Sequence, residues 1–464
     1  MTPMTLPSVA DPQECRDFLA AHPQVKYVDV FFTSMTGVPR GKRLRVHELQ
    51  AIYDYGRFLP GSILVVDTQG ADCEDTGLVW EDGDADRRAR PVPGTLTLAP
   101  WLGPDMAQVM LSLYELDGEA NDLDPRHVLK RVLDRFAADG LTPVAACELE
   151  YYLVDQQRGP RGELLPARSL QTGERPQGIQ VYGLPELEAQ APFLRELWDV
   201  CDVLGVPLEG AISEFAPGQV ELTLKHKPDA LEAADDALRY KRAAKGVALR
   251  HGCEATFMAK PWADQAGNGF HVHVSFNDAA GNNLCAADDP EGSDLLKHAI
   301  GGMKALMADC MAILAPNANS YRRFKANSYA PVAPTWGVNN RTVSLRVPAG
   351  PPPTRHVEHR VAGADANPYL VLAALLACAH HGISNRIDPG PAVVGDGYAA
   401  AAKEKVRLPT DWYAAVNLFE ASDVLRDYLG DRFVEMFVSV KRTEQARFAE
   451  VVTALDYDWY LRNA

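Results

Sequence analysis

The chain has 464 residues, of which 47% are hydrophobic and 23% are charged, a composition typical of a soluble globular protein with one or two domains. Its formal net charge of −16 leaves no basic excess to neutralise phosphates, which argues against nucleic acid as a partner. Eight scattered cysteines without a C-x-x-C pair predict buried, reduced thiols and a cytoplasmic protein. Residues 1–12 lack a signal-peptide pattern. The longest apolar run, residues 369–379, is too short to cross a membrane and predicts a buried helix.

The first third of the chain is predicted to be mostly β structure. A helix is expected over residues 13–21 and strands over 25–32 and 62–67. Residues 36–42 form a glycine–proline turn, whose spacing does not match a phosphate-binding loop. An acidic loop, a Pro-Val-Pro-Gly turn and a strand follow over 79–98. These elements predict a small domain with helices on one side of a sheet.

A domain boundary is predicted near the polar residues 118–123. Directly after them, Asp124 is a good N-cap and Pro125 suits the first position of an amphipathic helix. Two domains are therefore expected, comprising residues 1–121 and 122–464.

The second domain is predicted to mix strands with helices. Its long helices carry apolar residues at helical spacing, and its strands are rich in β-branched and aromatic residues. Three helical stretches are expected to close the chain. The preceding elements are strands over 143–154 and 255–258, an extended segment over 211–224, helices over 191–204, 228–251 and 294–314, and loops with short strands over 316–361.

Paired carboxylates stand out in this domain. Glu148 and Glu150 are two residues apart, so on a strand both point to one face of an otherwise apolar segment. Glu214 and Glu221 frame a Pro-Gly turn, and Glu358 lies in a third such segment. Each acid alone fits a solvated strand face. Several buried together would require a compensating cation.

Two histidines follow a glycine-rich turn at Gly267. His271 and His273 alternate along a predicted strand and therefore share a face. His271 alone would be read as a hydrogen-bonded structural residue. Together with five carboxylates it fits two hard divalent cations, Mg²⁺ or Mn²⁺, better than zinc. Such a pair often serves phosphate chemistry.

The loop-rich region is also unusually rich in arginine. Each guanidinium could form a surface ion pair, but the cluster favours a polyanionic substrate, such as a nucleotide together with a carboxylate. Its members are Arg322, Arg323, Arg341, Arg346, Arg355 and Arg360.

Taken in order, these motifs make the chain resemble the glutamine synthetase family over nearly its whole length. The resemblance implies an α+β fold, with a β-grasp-like N-terminal domain and a larger catalytic domain whose antiparallel sheet lines the active site. It also implies a homododecamer with active sites between neighbouring subunits. The matching segments are Glu148-x-Glu150, Glu214 to Glu221, Gly267 to His273, Asn319 to Arg323, Asn340 to Arg346, Glu358 to Arg360 and Ala366 to Leu370.

The resemblance assigns roles to individual residues. One metal would be held by Glu150, Glu214 and Glu221, and the other by Glu148, His271 and Glu358. The ATP-binding positions are His273, Ser275, Arg346 and, with its neighbour altered, Arg355. Glutamate would be held by Arg323, Arg360 and the Gly267 backbone, and Arg341 would meet the transferred phosphate. Arg341, Glu150 and Glu358 are thus the expected catalytic residues.

Two departures from the family pattern bear on specificity. Tyr329 stands where many ammonia-using members have the flap glutamate, which removes a negative charge and offers an aromatic face to an organic amine. His356 replaces the second of two adjacent arginines. Residues 37–42 and the ending 456–461 resemble the gamma-glutamylpolyamine synthetase branch. The N-terminal acid that would enter a neighbouring site is not identified by the pattern, and Asp67 is one candidate.

The expected function is an ATP-dependent ligase that joins the glutamate γ-carboxylate to a primary amine through γ-glutamyl phosphate. The alternatives are an ammonia-using glutamine synthetase, a non-catalytic ring protein and a metal-dependent hydrolase. The acceptor amine is not specified by the sequence, because acceptor pockets lie in loops.

Overall fold

The computed structural model describes residues 9–464. Two β-sheets organise this part of the chain, and they use separate stretches of the sequence. All strands of the first sheet lie between Tyr27 and Tyr114, and all strands of the second lie between Thr142 and His359. Of the N-terminal segment considered for a signal peptide, residues 1–8 lie outside the described residues.

The first sheet is mixed, with order β2-β1-β6-β4-β3 and β5 paired to β6. Its centre is the parallel pair β1 and β6, whose residues are almost all buried. The other pairings are antiparallel. The strands are β1 (Tyr27–Thr33), β2 (Pro39–Arg45), β3 (Arg57–Pro60), β4 (Asp86–Pro91), β5 (Thr97–Leu98) and β6 (Met106–Tyr114).

The second sheet has the order β12-β13-β14-β11-β7-β9-β8, with β10 paired to β7. Only the edge pair β12 and β13 is parallel among these described strands. The strands are β7 (Thr142–Asp155), β8 (Leu208–Ser213), β9 (Gln219–Leu224), β10 (Cys253–Thr256), β11 (Phe270–Asn277), β12 (Trp336–Val338), β13 (Leu345–Val347) and β14 (Val357–His359).

Helices pack against both sheets. Short 3₁₀ segments lie at Val46–Glu48, Gly61–Leu64, Glu74–Thr76, Pro100–Leu102, Ser320–Arg323 and Pro352–Thr354. The α-helices are α1 (Pro12–Ala21), α2 (Leu49–Tyr55), α3 (Pro125–Ala138), α4 (Leu184–Ala189), α5 (Ala191–Leu204), α6 (Ala230–Arg250), α7 (Asp294–Ala305), α8 (Met311–Leu314), α9 (Pro368–Asn385), α10 (Gly397–Ala401), α11 (Trp412–Glu420), α12 (Asp423–Leu429), α13 (Asp431–Ala449) and α14 (Ala454–Tyr460).

The core of the second half is built around helix α9, which is almost fully buried. It packs closely on α7 because small residues face each other at the crossing. A Cβ at Gly302 would lie 2.1 Å from the carbonyl oxygen of Cys378, and one at Gly382 would lie 2.2 Å from that of His298. Glycine is thus required for the helices to approach this closely.

The predicted α+β class is confirmed, and most predicted elements are present within a few residues of their expected bounds. Helix α3 begins as expected, with the Asp124 side chain accepting a hydrogen bond from Arg126 N. Helix α5 has the predicted bounds. The apolar run at 369–379 lies inside α9 and is buried, as expected.

Five predictions about secondary structure are wrong. The strand expected over 62–67 is a 3₁₀ turn followed by loop, because its apolar residues are buried by packing rather than by pairing. The turn over 36–42 is shorter, since β2 already begins at Pro39. The extended segment 211–224 is a hairpin of β8 and β9, and the helix over 294–314 is broken into α7 and α8. Six helices, not three, follow β14 in the described chain.

All eight cysteines lie in the described part of the chain, where they are buried and free. Among residues 9–464, no helix combines the length and the apolar character needed to cross a bilayer.

Candidate active site

The strand register of the second sheet brings the candidate acids and histidines together. His271 on β11 pairs directly with Glu148 on β7, and Glu150 on β7 pairs with Glu221 on β9. Glu358 on β14 pairs with His273, again on β11. Four neighbouring strands therefore present these side chains on one face, since residues opposite each other in a sheet share a face.

His271 is the centre of this group, which we call the carboxylate centre: Glu148, Glu150, Glu221, His271 and Glu358. Its Nδ1 lies 3.3 Å from Glu148 Oε2, 3.9 Å from Glu221 Oε2 and 3.8 Å from Glu358 Oε1. Its Nε2 lies 4.0 Å from Glu150 Oε1. The potential ligand atoms fall into two sets around this one ring, Glu148–His271–Glu358 and Glu150–Glu221–His271.

Crowding of carboxylates disfavours their ionised forms. Burial, together with the nearby Glu148, Glu150 and Glu214 side chains, raises the pKa of Glu221 to about 10. Burial and Glu214 raise the pKa of Glu150 to about 7. Binding of a divalent cation would relieve this repulsion and restore the carboxylate ligands. The oxygen-rich donor set therefore fits Mg²⁺ or Mn²⁺.

Glu214 lies beside the carboxylate centre but not within either ligand set. It follows β8 in the hairpin turn, and burial raises its pKa. Its negative charge adds to the effect of burial in raising the pKa values of Glu150 and Glu221. The structure thus brings five of the six expected metal ligands together and leaves Glu214 at the edge.

Glu358 differs from the other acids because two arginines neutralise it. Arg346 Nε and Arg360 Nη1 donate to its two oxygens, and the carboxylate is fully buried. Burial opposes ionisation, but Arg360, the nearby histidines and Arg346 lower the pKa of Glu358 to about 2. It is therefore ionised at neutral pH.

The residues expected to hold glutamate line one end of the same sheet. Arg323 is buried and donates to the Val361 carbonyl over 2.9 Å, which orients its guanidinium beside Arg360. Its stem crosses Gly267, where a Cβ would lie 2.3 Å from Arg323 Cγ. Only glycine leaves room for that arginine, so the two positions depend on each other.

The positions expected to bind ATP divide into two groups. His273, Ser275 and Arg346 lie buried on β11 and β13 next to the carboxylate centre. Arg355 is also buried, but its side chain extends toward the loop of Gly292 and Asp289. The structure does not bring Arg355 into the carboxylate centre.

Arg341 and Tyr329 both lie in loops. Arg341 is exposed, and its positive charge favours the ionised form of Glu214, against the larger effect of burial, which raises the pKa of that carboxyl. Tyr329 is 62% exposed and adopts φ +58°, in the flap formed by residues 324–331. Asp67, by contrast, is buried and bonded to Arg447 within its own chain.

Sequence reasoning missed two supporting residues. Gln219 Nε2 donates to the Gly267 carbonyl and to Asn268 Oδ1, each over 3.0 Å. Asn268 in turn donates to the Met258 carbonyl over 2.8 Å, and Gly269 N–H donates to Glu150 Oε2 over 2.7 Å. Gln219 and Asn268 lie inside the recognised motifs, but their side chains are uncharged amides, so a pattern of charged residues does not single them out.

Comparison with known proteins agrees with this geometry. The family model for the glutamine synthetase catalytic domain matches residues 122–460. The chain is 40% identical over 452 residues to gamma-glutamylputrescine synthetase PuuA of Escherichia coli (strain K12), covering 97% of this chain and 95% of that protein. The chain belongs to the glutamine synthetase family.

A second relative and a solved structure also support membership of the glutamine synthetase family. Glutamate–isopropylamine ligase of a Pseudomonas species is 34% identical over 367 residues, which is 78% of each chain. A solved structure of a GmaS/ADP complex superposes with a TM-score of 0.82 at 29% identity, covering 96% of this chain and 98% of that one. This member of the glutamine synthetase family is therefore an enzyme of the carbon–nitrogen ligase class.

Proposed function

We propose that this ligase joins the γ-carboxylate of glutamate to a primary organic amine, using ATP. The family supports an ATP-dependent γ-glutamyl ligase, and two of its similar relatives are named for putrescine and isopropylamine. The observation that carries the choice of amine is Tyr329. An exposed aromatic side chain, rather than a carboxylate, stands on the flap, next to Ser328, whose hydroxyl donates to the Arg323 carbonyl. Such a ring can contact an alkylammonium face.

The first step is phosphorylation of glutamate. A γ-carboxylate oxygen attacks the γ-phosphorus of ATP, ADP leaves, and γ-glutamyl phosphate forms. Arg323 and Arg360 would hold the glutamate, while Arg341 would stabilise charge on the transferred group. Two or more bound Mg²⁺ or Mn²⁺ ions, held by the carboxylate centre and Glu214, would supply neutralisation of the phosphate oxygens.

The second step is aminolysis. The amine nitrogen attacks the γ-carbonyl carbon, phosphate leaves, and the nitrogen loses a proton to give a γ-glutamylamide. The flap covers the intermediate and favours the amine over water as the attacking group. His273, Ser275 and Arg346 would keep the nucleotide in place, with Arg355 acting at its periphery.

The test is an amine panel assayed for phosphate release, with mass detection of the product. We expect turnover to depend on an added organic amine such as putrescine, isopropylamine or ethanolamine, with ammonium a poor substitute. Full turnover with ammonium alone at low concentration would overturn the organic-amine assignment and favour glutamine synthesis. No phosphate release with any nitrogen donor would overturn the ligase itself.

We also propose that residues 1–121 and 122–464 form the N-terminal and catalytic domains of a cytoplasmic homododecamer. The separate sheets and the start of the family match at residue 122 support the division. The C-terminal segment supports assembly, because its large apolar side chains are exposed in the single chain. They are Val451, Val452, Leu455, Tyr457, Trp459, Tyr460 and Leu461. Native mass spectrometry of the full chain and of one ending at residue 450 tests this, with loss of the dodecamer expected on truncation.

A further inference from the structure

Three histidines converge beside the carboxylate centre, and only one of them belongs to an expected site. His226 lies in the exposed loop after β9, His273 lies on β11, and His356 directly precedes β14. One ring nitrogen of each lies within 4.8 Å of the others. The ring centroids are 5.0 Å apart for His273 and His356, 5.4 Å for His226 and His356, and 5.8 Å for His226 and His273.

The proton position on the His356 ring follows from its hydrogen-bond partner. Nδ1 of His356 lies 2.7 Å from the Thr354 carbonyl oxygen. A carbonyl can only accept, so this Nδ1 carries a hydrogen and donates it. In a neutral ring, Nε2 of His356 is then left with its lone pair.

His273 turns its other ring nitrogen toward His356. Its Nε2 lies 3.0 Å from Oε1 of Glu148 without the geometry of a hydrogen bond, and its Nδ1 lies 2.9 Å from Nε2 of His356. With His226 close by, the three rings can turn one nitrogen each toward a single bound ion.

The outer contacts match those of metal-binding imidazoles. Histidine ligands generally donate their other ring N–H to a carbonyl or a carboxylate, which fixes the ring and its tautomer. His356 does so through the Thr354 carbonyl, and Nε2 of His273 lies near the Glu148 carboxylate, which could take up this role when an ion is bound. The exposed His226 ring provides a path from solvent, which a metal site requires.

We propose that His226, His273 and His356 bind a transition-metal ion, Zn²⁺ by preference, at a site separate from the carboxylate centre. Imidazole nitrogens suit Zn²⁺, whereas Mg²⁺ and Mn²⁺ prefer the oxygen donors next door. Three protein nitrogens leave a fourth tetrahedral position open for water or a substrate atom. The two sites meet at Glu148, whose Oε1 faces His273 and whose Oε2 faces His271. The proposed metal site does not depend on whether the second substrate of the enzyme is an organic amine or ammonium.

The experiment uses the full-length protein, stripped of metal and titrated with Co²⁺ as the spectroscopic probe. A four-coordinate, nitrogen-ligated Co²⁺ ion absorbs visible light far more strongly than a six-coordinate ion bound by oxygen. We expect one strongly absorbing Co²⁺ per chain, displaced by one Zn²⁺. The variants are His226→Asn and His356→Asn. His47→Asn, which changes an exposed histidine on the first domain, is the matched control, and Glu221→Gln disables the carboxylate centre.

The expected outcome separates the two sites. His226→Asn and His356→Asn should each weaken Co²⁺ and Zn²⁺ binding by at least the roughly 10- to 100-fold that loss of an outer partner costs. His47→Asn and Glu221→Gln should keep the strong absorption. His226 is exposed, so its variant is expected to fold even if His356→Asn does not. Absence of strong absorption in the unaltered protein, or its loss only in Glu221→Gln, would overturn the proposal and leave a proton between His273 and His356.

Discussion

The carboxylate centre and the flap are built in opposite ways. The carboxylate centre lies on four adjacent strands, where the register determines which side chains are neighbours. The flap is loop, with Asn327 at φ +61° and Tyr329 at φ +58°. The hydrogen bonds that hold it include those donated by the Ser328 hydroxyl to the Lys325 carbonyl and by the Tyr398 hydroxyl to the Ala330 carbonyl. A rigid platform suits phosphoryl chemistry, and an adaptable loop suits the choice of amine.

The largest expected effect comes from removing the charge of one acid in the carboxylate centre. Glu150→Gln keeps the shape of the side chain and can still accept the hydrogen bond from Gly269 N–H. It removes a charge that the metal requires, so we expect phosphate release to fall by at least roughly 10²–10³-fold. Thermal melting and oligomeric state should be unchanged. The control is Glu435→Gln on the exposed face of α13, which should retain full activity; retained activity in Glu150→Gln would remove it from the metal site.

Two isosteric variants separate the acids within the carboxylate centre. Glu358 pairs with Arg346 and Arg360, so Glu358→Gln leaves buried cations uncompensated and should destabilise the metal-free protein by roughly 3–5 kcal/mol. The pKa of Glu221 is raised to about 10, so this side chain is already neutral at pH 7 without metal. Glutamine avoids the cost of protonating a carboxylate that is ionised in the unfolded chain, so Glu221→Gln should raise metal-free stability at pH 7 and abolish the stabilisation by Mg²⁺ or Mn²⁺.

The destabilisation of the metal-free protein by Glu358→Gln should depend on pH in a defined direction. The pKa of Glu358 is lowered from 4.5 to about 2, so its contribution is present above pH 4.5 and is lost as the pH falls toward 2. Urea unfolding of the unaltered protein and both variants in EDTA, at pH 7 and at lower pH, measures it. Equal destabilisation by the two variants at pH 7 would contradict the distinction between the acids.

A smaller effect is expected on the flap. Tyr329→Ala removes the aromatic face, and a cation–π contact of about 0.5–2 kcal/mol corresponds to a rise of roughly 2- to 30-fold in the KM for the amine. The KM values for ATP and glutamate should not change. Tyr413→Ala, at a similarly exposed tyrosine on α11, is the matched control. A parallel rise in all three KM values for Tyr329→Ala would mean that the flap supports the whole site rather than the amine.

The contrast between strands and loops also explains how much of the site could be predicted from the sequence. Glu148 and Glu150 share a face because side chains alternate along a strand, and the sheet register then places His271 opposite Glu148. The strand expected at 62–67 failed because burial of Leu64, Val65 and Val66 comes from tertiary packing, which resembles a strand pattern in sequence. His226 carried no signal, since its convergence with His273 and His356 depends on a loop conformation.

A second pair of flap variants tests whether the flap conformation itself is required. Asn327 has a left-handed backbone, which asparagine and glycine adopt readily and alanine does not, at a cost of roughly 1–2 kcal/mol. Asn327→Gly should leave the amine KM near its original value. Asn327→Ala should raise the amine KM by about fivefold for each kcal/mol of strain, because the bound flap becomes less populated. The melting temperature should barely change, since a loop can relax locally without unfolding the sheet. Equal amine KM values for the glycine and alanine variants would show that amine binding does not need this backbone conformation, and the contrast between platform and flap would then depend on Tyr329 alone.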